Sequence, residues 1–259
     1  MQDLATVPEF TAVLLARRLR DETVGVLGTR SEVAAAGCAL AQLSTAPGLS
    51  FLSGPSGVVN PRPGRLLPIA DEALIDGAEA LTELTDNIDL IDWSRRAFDF
   101  AVLGGIQVDR FGNLNTVAVG DWAKPKVRGP GAIGASVLAG HAREFFIVLG
   151  EHSTRNFRPE VDFVSALGFG RTGREREALG LPGRGPSLLI SPLGTFDFGG
   201  AGHTMRIRTV HPWSSVEEIR ENTGFELAHH EDVRTTPVPR AQELELLRTA
   251  VDTTGVLRS

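Results

Sequence analysis

Apolar and polar positions along the chain change period several times, and each change marks an element. Phe10, Val13, Leu14 and Ala16 supply a helical face directly after Thr6-Val7-Pro8-Glu9, a capping-box spacing with proline just inside it. This predicts a first helix over about residues 8–20. Thr23-Val24-Gly25-Val26-Leu27 is short, apolar and β-branched. Gly28-Thr29-Arg30-Ser31 then turns into the alanine-rich stretch from Glu32 to Leu43. A second apolar run, Leu49 to Leu52, stops at Ser53-Gly54-Pro55-Ser56-Gly57. Strand, helix and strand in that order are a βαβ unit, which requires a parallel sheet covered by helices.

The order then repeats with variation. Apolar runs fall at Phe100 to Leu103, Val117 to Val119, Phe145 to Leu149 and Leu188 to Ile190, and a helix is expected from Ala135. Thr195 to Phe198 and Met205 to Val210 flank Gly199-Gly200-Ala201-Gly202 as a hairpin. Ser214-Ser215 ahead of Glu217-Glu218 caps a short helix that stops at Asn222-Thr223-Gly224. Leu244, Leu247 and Val251 mark a final helix. No low-complexity segment divides the chain, so residues 1–259 read as one α/β domain. Within it, residues 155–187 form a flap, because Phe157, Val161, Phe163, Val164, Leu167 and Phe169 punctuate an Arg- and Gly-rich stretch.

Composition narrows the chemistry. Hydrophobic residues make up 42% and charged residues 22%, which excludes disordered and fibrous classes. Cys38 is the one cysteine, so no internal disulfide or thiolate-rich metal site can form; Lys124 and Lys126 are the two lysines, and tyrosine is absent. With a net charge of −6 and scattered arginines, phosphate-neutralising binding to nucleic acid is not expected. No apolar run approaches the roughly 20 residues of a membrane span, and the start of the chain lacks a signal-peptide pattern. The reading is a cytoplasmic, unprocessed protein.

Several constellations could carry chemistry. Gly25-Val26-Leu27-Gly28 sits where a dinucleotide fold binds pyrophosphate, but it lacks the G-x-G-x-x-G spacing and reads as a βα turn. Gly54-Pro55-Ser56-Gly57 resembles part of a nucleophile elbow, yet Val58 stands where a glycine would be needed. His229-His230-Glu231-Asp232 looks like a metal cluster but lacks helix-borne i, i+4 spacing, and reads as a solvated turn. His211-Pro212-Trp213 reads as a strand-to-helix junction.

Two loops stand out. Clustered glycines in Arg128-Gly129-Pro130-Gly131-Ala132-Ile133-Gly134, ahead of a helix, let backbone N–H groups approach a ligand. Gly129, Gly131 and Gly134 are therefore candidates for an oxyanion hole or a phosphate nest, against a purely structural turn. Gln107, Asp109, Asn113 and Asn115 follow an apolar strand, and strand ends of open parallel sheets face the ligand crevice. The alternative is a β-turn in which Asp and Asn bond their own backbone.

Read in order, these segments resemble the β subunit of class I CoA-transferases, particularly the glutaconate type. The similarity runs from Leu103 to Thr116, through Gly129 to Gly134, Gly180 to Pro186, Gly194 to Phe198, and Val216 to Phe225. The resemblance implies a three-layer α/β domain with a mainly parallel sheet flanked by helices. It also implies a homologous α subunit as partner, in an αβ heterodimer or α2β2 assembly, with the site at their interface. The implied substrate is an acyl-CoA thioester, with no bound cofactor and no metal. In such transferases a β-subunit glutamate after the second strand attacks the thioester through an acyl anhydride and becomes a glutamyl-CoA thioester. Here Gly54, Pro55, Ser56 and Gly57 occupy that place, and no Asp or Glu occurs between Glu32 and Asp71. The resemblance therefore points to the family's offshoots, a 3-methylglutaconyl-CoA decarboxylase and a ring-opening acyl-CoA hydrolase, and to decarboxylation first. The alternatives are transfer or hydrolysis with a carboxylate from the α subunit, and a non-catalytic structural subunit. Arg110 and Arg128 are candidate contacts for the CoA phosphates because they adjoin these loops.

Overall fold

In the computed structural model, described for residues 5–28, 31–68, 71–83, 85–86, 98–132 and 134–259, the chain gathers into two compact units. Residues 1–102 with 237–259 form the first and residues 103–236 the second.

In the first unit, helix α1 (Val7–Arg18) begins with the expected capping box. The Thr6 hydroxyl accepts from the Glu9 N–H, and the Glu9 carboxylate accepts from the Thr6 N–H at 2.9 Å. It ends two residues earlier than the periodicity suggests, because Leu19 turns extended. Helix α2 (Glu32–Gln42) is buried along its alanine-rich length. Strands β1 (Val24–Leu27), β2 (Ser50–Ser53) and β5 (Phe100–Leu103) pair in parallel, with Val26 opposite both Leu52 and Ala101. Two short strands, β3 (Val58–Val59) and β4 (Ala80–Leu81), extend this sheet antiparallel. Two-residue strands carry too little periodicity to be read from the pattern. The final helix is interrupted: α6 (Ala241–Leu246) continues as a π turn over Leu247–Val251, and the Asp252 N–H reaches back five residues to the Leu247 carbonyl at 2.7 Å.

The second unit has a different grain. Strands β10 (Glu144–Val148) and β11 (Pro186–Ile190) are parallel, while β12 (Gly194–Asp197) and β13 (Arg206–Val210) follow as the expected antiparallel hairpin. Strand β14 (Ala228–Thr235) then pairs parallel to β13. This corrects the solvated turn expected at His229-His230. Its side chains are mostly exposed, so edge-strand pairing leaves almost no apolar signal in the sequence. Two hairpins, β6 (Gln107–Val108) with β7 (Leu114–Asn115) and β8 (Ala118–Val119) with β9 (Val127–Arg128), precede helix α3 (Ala135–His141).

Residues 155–187 run beside the β6–β7 hairpin. The Val108 N–H donates to Asn156, that of Leu114 to Ala166 and that of Phe169 to Phe111, while Phe157 and Ala166 are fully buried. Helix α4 (Glu175–Ala178) lies in this stretch. Helix α5 (Val216–Glu221) starts at Ser215, whose hydroxyl accepts from the Glu218 N–H at 3.0 Å. The α/β character and the βαβ start match the sequence reading. No helix among the described residues is long and apolar enough to cross a membrane.

Candidate functional site

The candidate residues fall into one group in each unit. In the first, β2 ends at Ser53 and turns sharply. The Gly57 and Ser56 N–H groups both donate to the Ser53 carbonyl, at 2.9 and 3.2 Å, and the Gly54 N–H donates to Leu27. Gly57 adopts φ of 69°, and a Cβ there would run into the Thr82 carbonyl, so only glycine fits. The Ser56 hydroxyl, partly exposed, donates to the Ser53 carbonyl at 3.3 Å. The turn thus stands at the carboxyl end of a parallel strand, where open α/β sheets place ligands, and it carries no carboxylate.

In the second unit, Gln107, Asp109, Asn113 and Asn115 are all buried and all engaged within the chain. Asp109 accepts from the Phe111 and Asn113 N–H groups and from the Asn113 amide. Burial pushes its carboxyl up to about 6, against the pull of those donors. The Asn113 side chain spans outward to Gly168 and Gly170, accepting from both N–H groups and donating to the Gly170 carbonyl. The Asn115 amide donates to the Gln107 side chain and to the Ala118 carbonyl, and its oxygen accepts from Val117 and Ala118. Gln107 in turn accepts from the Asp162 N–H and donates to the Asp162 carboxylate. This is the self-bonded turn that the Asp and Asn spacing leaves as the alternative to a ligand contact.

The network has a second consequence. By holding 116–118 in place, Asn115 sets the backbone to which the glycine loop is tied. The Gly129 N–H donates to Val117 at 2.7 Å and the Gly131 N–H to Thr116 at 3.1 Å, while Thr116 is itself held by Ser165. A Cβ at Gly129 would collide with the Thr116 carbonyl. Gly131 and Gly134 take φ of 94° and 67° and face open space. The loop is therefore fixed at its base, at Gly129, and unobstructed at Gly131 and Gly134. Arg128, at its entry, lies over the Trp122 ring, with Cζ 5.1 Å from the centroid.

Sequence reasoning missed three features. His152 is buried, stacked on Phe157 and bonded to the Ser191 and Thr223 hydroxyls at 2.7 and 3.1 Å. His211 is bonded to the Thr236 hydroxyl and to the Ser191 carbonyl, so Ser191 joins the two rings. Desolvation holds both imidazoles neutral, down to about 3 for His152 and about 4 for His211. Arg176 is buried without a carboxylate and donates to the carbonyls of Gly168, Gly183, Ala139 and Leu167. None of these contacts follows a recognisable motif spacing, and the partners lie up to 71 residues apart. His230 is not a metal ligand among the described residues: its Nε2 pairs with Asp197 at 2.6 Å, alongside Arg206, and no group of three or more donors gathers there. Trp213 packs on His211 and donates to the Pro192 carbonyl, as expected of a junction residue.

The chain thus combines a mixed α/β fold with a glycine loop at the mouth of one hairpin and a sharp turn at a parallel strand end. The coenzyme A transferase family model matches residues 11–222, and the chain belongs to that family. It is 37% identical over 243 residues to the B subunit of 3-oxoadipate CoA-transferase from Pseudomonas knackmussii, spanning 93% of this chain and 91% of that one. Among solved structures, the decarboxylase AibA/AibB matches with a TM-score of 0.83 at 30% identity, over 97% of both chains. Glutaconate coenzyme A-transferase from Acidaminococcus fermentans matches with a TM-score of 0.86 at 26% identity, covering 98% of this chain and 97% of that one. The resemblance to the glutaconate type and the CoA-transferase-like α/β fold are therefore correct.

Proposed function

We propose that this chain is the β-type subunit of a heteromeric acyl-CoA enzyme, works beside a homologous α subunit, and supplies no nucleophile to the thioester. The observation that carries this reading is the turn Gly54-Pro55-Ser56-Gly57 at the end of β2, which has no carboxylate. A proline there has neither an N–H nor a titratable group.

The reaction that fits such a subunit is decarboxylation of an enoyl dicarboxylic acyl-CoA. The bond from the carboxylate carbon to its neighbour breaks, CO2 leaves, and the electron pair passes into a dienolate whose oxygen requires donors; a proton then returns to carbon. Such a step needs orientation and oxyanion stabilisation, and no covalent intermediate. The unobstructed Gly131 and Gly134, on a base fixed by Asn115, would supply donors to that oxygen, and the likeness to a decarboxylase of the same fold supports the assignment. The complex, co-expressed with its α subunit and given 3-methylglutaconyl-CoA or glutaconyl-CoA, is expected to release CO2. Acyl exchange with free acetate and no CO2 would overturn this. Ser56→Ala is expected to retain most turnover, because its hydroxyl is spent on Ser53; a loss of several orders of magnitude would make Ser56 a nucleophile instead.

A second reading is favoured by the 37% identity to a 3-oxoadipate transferase chain. In it the complex transfers CoA from an acyl-CoA donor to a dicarboxylic acid, with the attacking carboxylate on the α subunit. A glutamyl-CoA thioester trapped by borohydride and mapped to an α-subunit peptide would establish it.

A further inference from the structure

The tip of the β8–β9 hairpin concentrates chemistry that the rest of the chain lacks. Trp122 keeps 59% of its surface exposed, and Val127 and Val164 keep 48% and 46%, so the indole is the largest exposed aromatic among the described residues. Both lysines of the protein, Lys124 and Lys126, follow Trp122 closely, and Arg128 comes next. Among the described residues neither lysine has an ion-pair partner or a side-chain hydrogen bond. The nearby carboxylates, Asp121 and Asp162, are themselves exposed but bonded to the chain: Asp121 accepts from the Ala123 and Lys124 N–H groups, and Asp162 from Gly120 and Gln107. A chain of net charge −6 thus presents a local cluster of three cations around an aromatic face.

The ring is also held in place. Phe163 meets it edge-on at 5.5 Å and Arg128 lies over the ring, while the exposed remainder of the indole is available to a planar ligand. An exposed indole flanked by mobile ammonium groups recognises a stacked base carrying phosphates, because the ring supplies a π-face and the lysines neutralise charge. The hairpin leads, through Arg128, straight into Gly129.

We propose that Trp122, Lys124 and Lys126 form a nucleotide-binding arm that stacks an adenine on the indole and engages its ribose-linked phosphates. In the acyl-CoA reading above, on which this assignment of the source rests, that ligand is the adenosine 3′,5′-bisphosphate end of the CoA thioester.

The full chain and its complex with the α subunit are titrated with adenosine 3′,5′-bisphosphate, ATP and a single-stranded oligonucleotide, with tryptophan emission and calorimetry as readouts. Adenosine 3′,5′-bisphosphate is expected to bind most tightly. Trp122→Ala is expected to weaken it by about tenfold and Trp122→Phe by less, from the worth of one base stack. Lys124→Glu with Lys126→Glu should weaken it further and flatten its salt dependence. In turnover, Trp122→Ala should raise KM for the CoA thioester by about the same tenfold factor, and leave KM for the matching N-acetylcysteamine thioester, which lacks the nucleotide, unchanged. Equal KM values for wild type and variant, or an equal rise for both thioesters, would overturn the arm. So would tighter binding of ATP or of the oligonucleotide, or a Trp122 that the α subunit shields from acrylamide and that does not respond to nucleotide. Binding of adenosine 3′,5′-bisphosphate that depends on Trp122, with no thioester turned over, would keep the arm and overturn the acyl-CoA function.

Discussion

Arg176 is the residue whose environment says most about this molecule's stability. It satisfies four backbone carbonyls from three separate segments, and it sits 5.9 Å from the Phe145 ring centroid. Removal strands those acceptors, each worth about 1–3 kcal/mol when buried unpaired. Arg176→Met is expected to lower unfolding free energy by at least about 3 kcal/mol in urea titration, since partial rehydration offsets only some of that cost. Arg176→Lys should recover part of it, as an ammonium cannot reproduce the planar fork. The buried histidines set a pH dependence. Both are neutral in the folded state down to about 3 and 4, whereas the unfolded imidazoles protonate near 6.5. The unfolded chain therefore binds more protons below pH 6.5, and stability is expected to fall as pH drops from 6.5 toward 4. Asp109, raised to about 6, acts with the opposite sign between its unfolded value of 3.8 and 6, while carboxylates held low by their partners, Glu9 and Asp197 among them, act with the same sign as the histidines. Melting temperatures across pH 4–7 check the slope, and a His152→Gln, His211→Gln variant should flatten it.

At the scale of elements, caps and close approaches decide what a substitution does. Thr6→Ala removes one half of the α1 capping box and is expected to cost about 1 kcal/mol, read by chemical denaturation. Gly129→Ala cannot be absorbed at the mouth of the β8–β9 hairpin, because the Thr116 carbonyl occupies the space. Turnover should drop by at least about tenfold, as expected when reacting groups shift by an ångström, with a smaller loss of stability because the loop is peripheral to the core. A Gly129→Ala enzyme with unchanged kcat would mean that the loop plays no part in the chemistry. The elements themselves differ in how legible they are. The capping box of α1, the Ser215 cap of α5 and the β12–β13 hairpin each carry a local signal, and each is found. Strand β14 was hidden because AHHEDVRT shows neither alternation nor apolarity, and the pair β6–β7 and strand β9 because two residues define no period, whereas β8 falls in the apolar run Val117 to Val119.

At the scale of the whole molecule, the decisive feature is an absent side chain at a strand end. If the chain works as proposed, it is inactive toward acyl-CoA alone and active only with its α subunit, in an assembly of two αβ pairs, which native mass spectrometry and a mixing assay check. Turnover by the isolated chain would place a complete site within it. The sequence by itself determined the α/β class, the family, the capped helices, the glycine loop and the absence of any carboxylate between Glu32 and Asp71, because each rests on residue identity or on a spacing of a few positions. Tertiary structure alone decided the roles of the polar residues between 107 and 115. Their spacing suits a ligand crevice equally well, and only the arrival of Asp162, Gly168 and Gly170 from about fifty residues away engages Gln107 and Asn113 within the chain. Likewise only the fold could show that Trp122 is left exposed between Arg128 and Phe163, since solvent exposure is a property of what packs nearby and not of the residue.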